Sequence, residues 1–253
     1  VRVIPKREIL FGAVRARVAA VAFDKDGTLL ATEPFWRELY RLRFRLVAEE
    51  AGTEAAEEWR ETMGVSPDLV FDRGGPFTLG SFEDEGLVTA VVLYRHTRRP
   101  WDECRRRGLE ITARSNEMLD LRRAVQPLPG AVEAVTRLKA AGLAVGVVTS
   151  DNVERTVASM ELAGLPASVW DFVLGAESVP RHKPAPDMIH RAAEQTGIAP
   201  EAFAVVGDSR VDMMMAKSAG ALAVGVRELG RASAGVEELA DVVLDGVYEI
   251  RVP

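Results

Sequence analysis

The sequence predicts an α/β protein, a doubly wound, mostly parallel sheet flanked by helices and interrupted by an inserted α-helical domain. Three observations carry this expectation. Short, near-continuously apolar runs recur along the chain, helical patterns separate them, and the first two runs stand about 120 residues apart across a stretch of different texture.

The apolar runs are Val18 to Asp24, Ala144 to Ser150, Phe172 to Gly175, Ala204 to Asp208, Leu222 to Val226 and Asp241 to Asp245. They lack the in-and-out alternation of a half-exposed strand, as strands covered on both faces do. Helical patterns at Gly130 to Ala141, Val153 to Ala163, Pro186 to Thr196 and Val211 to Ala219 fall between them. Strands alternating with helices build a parallel sheet, so the expected core is Rossmann-like.

A single crossover helix needs far fewer residues than separate the first two runs, so the intervening segment reads as an insertion. Helical stretches dominate it at Phe35 to Ala51, Glu54 to Thr62, Val88 to Arg98 and Trp101 to Leu121, with a Gly- and Pro-containing loop expected over Asp72 to Gly86. The boundaries are expected near Leu30 to Pro34 and near Gln126 to Gly130, where Pro127 and Pro129 stiffen the return. Residues 1–30 and 127–253 then form the Rossmann-like core, and residues 31–126 the helical insertion. The first seventeen residues and the stretch Val247 to Pro253 read as extra strands or arms.

At 253 residues the chain buries a sizeable core, and hydrophobic residues at 47% with charged residues at 28% fit a soluble globular protein. No run of about 20 uncharged apolar residues is present to span a bilayer. Lys6, Arg7, Glu8, Arg15 and Arg17 interrupt the first twenty residues, a pattern unlike a signal peptide, so a cytoplasmic location is expected. Cys104 is the sole cysteine and excludes an intrachain disulfide. The net charge of −6 argues against a general nucleic-acid binder but not against a small anionic ligand held by a local cluster of positive charge.

Four polar elements follow four separate predicted strands. Asp24 and Asp26 end the first, two residues apart and so facing one side, before the turn residues Gly27 and Thr28. Thr149 and Ser150 end the second, where hydroxyls and backbone N–H groups can hold phosphate oxygens, or can cap the helix that follows. Lys183 precedes a predicted helix start and is a solvated charge unless carboxylates and a phosphate lie beside it. Asp208 ends a buried strand and Asp212 follows on the first helical turn, a pair that can share a divalent cation or can cap the helix and complement its dipole. In a doubly wound sheet all four elements converge at one edge, and together they supply what phosphoryl transfer requires.

With Asp24-Lys25-Asp26-Gly27-Thr28, Thr149, Lys183 and Gly207-Asp208-Ser209-Arg210-Val211-Asp212 in this order, the chain from Val18 to Asp245 resembles the haloacid dehalogenase superfamily, and within it the phosphoglycolate phosphatase-like group with a helical cap. The resemblance implies a phosphatase that hydrolyses a small-molecule phosphate monoester. It implies that Asp24 attacks phosphorus to form an aspartyl-phosphate while Asp26 protonates the leaving oxygen and then deprotonates water. Thr149 and Lys183 are implied to hold the phosphoryl group, with Ser150 a further candidate. Magnesium is implied at Asp24, the backbone carbonyl of Asp26 and Asp208, with Asp212 beside them.

Asp26 separates the chain from the dehalogenases of this superfamily, because a halide leaves without a proton. The insertion has no lysine between Ala31 and Pro127, which removes the Schiff-base route of phosphonate cleavage. A β-phosphoglucomutase-like phosphomutase and a non-catalytic binding protein on the same fold stand as alternatives. Ala31 departs from the acid that many relatives carry at this place, which leaves the subfamily open. Specificity is expected in the cap, where Arg37, Arg41, Arg43, Arg45 and Arg73 are candidates for an anionic leaving group and Arg73 is preferred; the helix that carries the first four equally suits a solvated charged face.

Overall fold

A computed structural model describes residues 4–72, 74–231 and 233–253, so the expectation placed on Arg73 lies outside the described residues. The chain divides into two compact units, one of residues up to Thr32 together with Val125–Pro253, the other Glu33–Ala124.

The first unit opens with a hairpin, β1 (Arg7–Phe11) against β2 (Val14–Val18), and β3 (Ala20–Phe23) follows. The second unit holds most of α1 (Thr32–Ala51), then α2 (Thr53–Thr62), α3 (Pro76–Leu79), α4 (Phe82–Thr97), α5 (Trp101–Glu117) and α6 (Leu121–Ala124). The chain returns through α7 (Ala131–Ala140), β4 (Ala144–Val148), α8 (Val153–Leu162), β5 (Phe172–Leu174) and α9 (Asp187–Thr196). It ends with β6 (Phe203–Gly207), α10 (Arg210–Ala219), β7 (Leu222–Val226), α11 (Val236–Leu239), β8 (Val242–Leu244) and β9 (Ile250–Arg251).

Six strands form a wholly parallel sheet in the order β5-β4-β3-β6-β7-β8. The order runs outward in opposite directions on either side of β3, so the switch point that receives ligands in such sheets lies at the carboxyl end of β3. The period of two along each strand divides the core into two layers. Val21, Phe23, Val145, Val147 and Val206 face the layer that includes α7. Ala20, Ala22, Ala144, Phe203 and Val205 face the layer of α9 and α10. The two arms pair with each other, β9 adding to the edge of the β1–β2 hairpin as an antiparallel strand.

The helical unit has its own core around Tyr40, Val47, Trp59, Phe77 and Leu93. Trp59 is fully buried and donates from its ring N–H to Thr89 Oγ1 at 2.9 Å. The expected loop over Asp72 to Gly86 holds the short helix α3 at Pro76–Leu79 and is helical again in its last part, because Ser81 and Asp84 form a reciprocal capping box that starts α4 at Phe82. Gly86 and Gly108 mark a close approach of α4 and α5 rather than a break: a Cβ on Gly108 would stand 2.8 Å from the Ala90 nitrogen. Among the described residues no helix is long and apolar enough to cross a membrane.

Candidate active site

Asp24 leaves β3 at the switch point, still donating its backbone N–H to Val206 O at 2.8 Å, and is 8% exposed. The chain then closes a tight loop in which the N–H groups of Leu29 and Leu30 both donate to Lys25 O, at 3.0 and 2.9 Å. Gly27 has a φ of +79°, and a Cβ there would fall on the Asp208 carboxylate. Glycine therefore serves both the left-handed turn and the approach of Asp208. Gly207, the last residue of β6, meets only the second demand: the Asp212 side chain occupies the space its Cβ would take.

Asp24, Asp208 and Asp212 each bring a carboxylate oxygen within 4.8 Å of the others. Lys183, from the loop before α9, donates to Asp24 Oδ1 at 2.6 Å and to Asp212 Oδ1 at 2.5 Å. The other Asp212 oxygen accepts from the Ser209 N–H at 3.2 Å and from the Ser209 hydroxyl, closing the capping box of α10. Helix capping and membership of the site are both true of Asp212, one for each oxygen. Among the described residues no hydrogen bond or ion pair engages the Asp208 carboxylate.

Burial raises the Asp24 carboxyl to about 7, opposed by Lys183 and reinforced by Asp212 and Asp26. Burial also pushes Asp208 well above the usual carboxylate range, with Asp24, Asp212 and Glu228 adding to it. Burial pulls Lys183 down, but Asp212 and Asp24 outweigh it and hold the ammonium above its ordinary pKa. The site thus crowds carboxylates around one ammonium.

Asp26 joins a second lysine. Lys25, 1% exposed, donates to Asp26 Oδ2 at 2.8 Å and to Asp151 Oδ2 at 2.9 Å. Arg155 in turn grips Asp151, its Nε at 2.7 and 2.8 Å from the two oxygens and its Nη2 on Oδ1. Asp151 stands just before α8, where an acid can cap a helix, but that role falls to Asn152, which accepts from the Arg155 N–H at 2.8 Å. The signal for this network is Lys25 itself, a cation between two acids just past a fully apolar strand. Glu228, likewise without a sequence signal, is buried after β7 and accepts from the Thr32 N–H and hydroxyl at 2.7 and 2.8 Å.

Thr149 is buried at the end of β4, beside β3 in the sheet, and its Oγ1 accepts from the Asp151 N–H at 3.1 Å. Its own hydroxyl proton is the group it can offer to an oxygen. Ser150 is exposed and is not the cap of α8. In the helical unit, Arg37, Arg41 and Arg45 pair with acids of their own helix, Glu33, Glu38 and Glu49, as a solvated face does. Arg43 is buried, bound to Glu85 at 2.7 Å and to Ser115 at 3.0 Å, and is part of that unit's interior rather than a free cation for a ligand.

A doubly wound sheet with clustered carboxylates and an ammonium at its switch point has its polar groups where α/β enzymes of this architecture place a small ligand. Residues 18–220 match the haloacid dehalogenase-like hydrolases, and the chain belongs to that family of enzymes. The phosphoglycolate phosphatase of Neisseria meningitidis is 31% identical over 212 residues, covering 83% of this chain and 80% of its own. Among solved structures, a predicted phosphoglycolate phosphatase of Haemophilus somnus superposes with a TM-score of 0.68 at 18% identity, over 92% of this chain and 96% of that one. A proposed beta-phosphoglucomutase of Thermotoga maritima superposes with a TM-score of 0.62 at 26% identity, over 91% and 95%.

Proposed function

We propose that this protein is a magnesium-dependent phosphatase that hydrolyses a small-molecule phosphate monoester through an aspartyl-phosphate on Asp24. The observation that carries the reading is the charge imbalance at the switch point, where three carboxylates share one ammonium and Asp208 has none of its own. Oxygen donors so clustered suit a hard divalent cation. Asp24, Asp208 and the Asp26 carbonyl would hold magnesium, with Asp212, its oxygens engaged by Lys183 and Ser209, in support. When bound, the cation neutralises negative charge on the nucleophile and the phosphate.

The residues divide the remaining work. Lys183 fixes Asp24 through Oδ1 and presents its ammonium to the phosphoryl oxygens, joined by the Thr149 hydroxyl and the Ser150 N–H. Asp24 forms the new bond to phosphorus as the ester bond breaks. The electron pair leaves on the ester oxygen, which takes the proton of Asp26, and the Asp26 carboxylate then takes a proton from a water whose oxygen bonds to phosphorus as the Asp24–phosphorus bond breaks, releasing phosphate and restoring Asp24. The sheet unit is read as the catalytic core and the helical unit as the cap that selects the leaving group.

Phosphate release from p-nitrophenyl phosphate and from 2-phosphoglycolate, the ester named in its relatives, tests the reading. We expect activity with magnesium, loss on chelation, and a fall of about a thousandfold or more in Asp24→Asn. Full activity in Asp24→Asn, or after complete chelation, overturns it. The likeness to the Thermotoga protein supports a second reading, a phosphomutase, for which a hexose 1-phosphate with its bisphosphate would yield isomer instead of free phosphate.

A further inference from the structure

Asp24 and Asp26 are two residues apart, yet each is tied to a different lysine. Lys183 spans Asp24 and Asp212, and Lys25 spans Asp26 and Asp151. An ammonium as deeply buried as that of Lys25 costs several kcal/mol unless well paired, so its placement sets strict demands on its partners. Both its main chain and its side chain are fixed. The carbonyl accepts the Leu29 and Leu30 N–H groups that close the loop, and the side chain is locked from behind by Asp151, itself held by Arg155. In the row Arg155, Asp151, Lys25, Asp26 the charges alternate, and Asp26, at its end, has the most exposed side chain at 37%. Lys25 holds one Asp26 oxygen, Oδ2, in a carboxyl that stays partly exposed.

Resting on the phosphatase reading above, we infer that Lys25 is a positioning residue for the acid/base Asp26: the ion pair, anchored through Asp151 and Arg155, aims one Asp26 oxygen at the leaving group. Its contribution is greatest where protonation of the leaving oxygen matters most, in esters of poorly acidic alcohols. In that step Asp26 enters as the carboxylic acid, with Oδ2 accepting from Lys25 and the proton on Oδ1; the Asp24 oxygen bonds to phosphorus, the phosphorus–oxygen ester bond breaks with its electron pair on the departing oxygen, and that oxygen takes the Oδ1 proton. The Asp26 carboxylate left behind stays paired with Lys25. A p-nitrophenolate leaves without that proton, an alkoxide does not.

The test compares p-nitrophenyl phosphate with 2-phosphoglycolate in the wild type, Lys25→Met, Lys25→Arg and Arg155→Met, with folding followed by circular dichroism. We expect Lys25→Met to lower kcat on the alkyl ester at least about tenfold more than on the aryl ester, within the range that acid catalysis contributes, with KM little changed. Lys25→Arg should recover part of that difference. Arg155→Met, which loosens the row at the end away from Asp26, should show a smaller preference of the same sign and serves if Lys25→Met does not fold. Equal losses on both esters, or a loss confined to KM, overturn the inference while leaving the phosphatase reading intact. A wild type inert to both esters overturns the phosphatase reading and this inference with it. A wild type active on both, whose Asp26→Asn variant loses equally on both, removes Asp26 as the acid and Lys25 with it.

Discussion

Gly27 is the residue on which the geometry of the acids turns. Its left-handed backbone and the Asp208 carboxylate lying where its Cβ would be make two separate demands that only glycine meets. Gly27→Ala should cost about 1 kcal/mol of backbone strain. Its larger effect should be on turnover, a fall of about a hundredfold from displacing Asp208, with the fold retained by circular dichroism. Asp208 itself was legible in the sequence as an acid ending an apolar run. Its closeness to Gly27 was not, since the two are brought together by the pairing of β3 with β6.

Among the elements, the start of α8 and the end of β3 are stitched by Asp151, which is 8% exposed in its side chain and touches both Lys25 and Arg155. Burial raises the Asp151 carboxyl, but Arg155 and Lys25 outweigh it and hold it below the ordinary carboxylate value. The stability it contributes is therefore complete above a pH of about 4 and is lost as pH falls through the depressed value. Asp151→Asn should destabilise the protein at pH 7 by about 3 kcal/mol, because Lys25 keeps its burial and loses a counter-charge. Urea titrations across pH should show that difference shrinking below pH 4, as the wild-type carboxylate also takes a proton. The helical unit offers a parallel case. Gly108→Ala should cost about 1–3 kcal/mol by forcing α5 away from Ala90 on α4, measured by urea unfolding. A glycine in a helix reads in sequence as a weak point or a loop. Whether it marks a break or a close approach depends on a neighbour that periodicity does not name, which is why Asp72 to Gly86 read as loop throughout while α4 begins at Phe82.

For the molecule as a whole, the net charge of −6 is spread over a surface rich in local pairs, while the crowding that matters is confined to the switch point. A cation that relieves it should bind the folded state alone and raise the thermal midpoint. At a hundredfold excess over its dissociation constant, magnesium should contribute about 2.7 kcal/mol, a rise of about 5–10 °C in the transition of the unit that carries the site. Asp208→Asn should abolish the rise. An unchanged midpoint in the wild type across millimolar magnesium would remove the acids as its site.

By itself the sequence determined the α/β class, the run of apolar strands and the acids and lysine that follow them, because burial on both faces and the chemistry of side chains are written locally. The helical pairing of Arg37, Arg41 and Arg45 was equally local, their partners standing three or four positions away. Tertiary structure alone decided that Lys25 is buried and bound to Asp151, 126 positions distant, and that Arg43 turns inward to Glu85. The physical reason is one of range. An ion pair's partner in a buried site is set by which strands and helices meet, and the local period that identifies a strand or helix carries no record of that meeting.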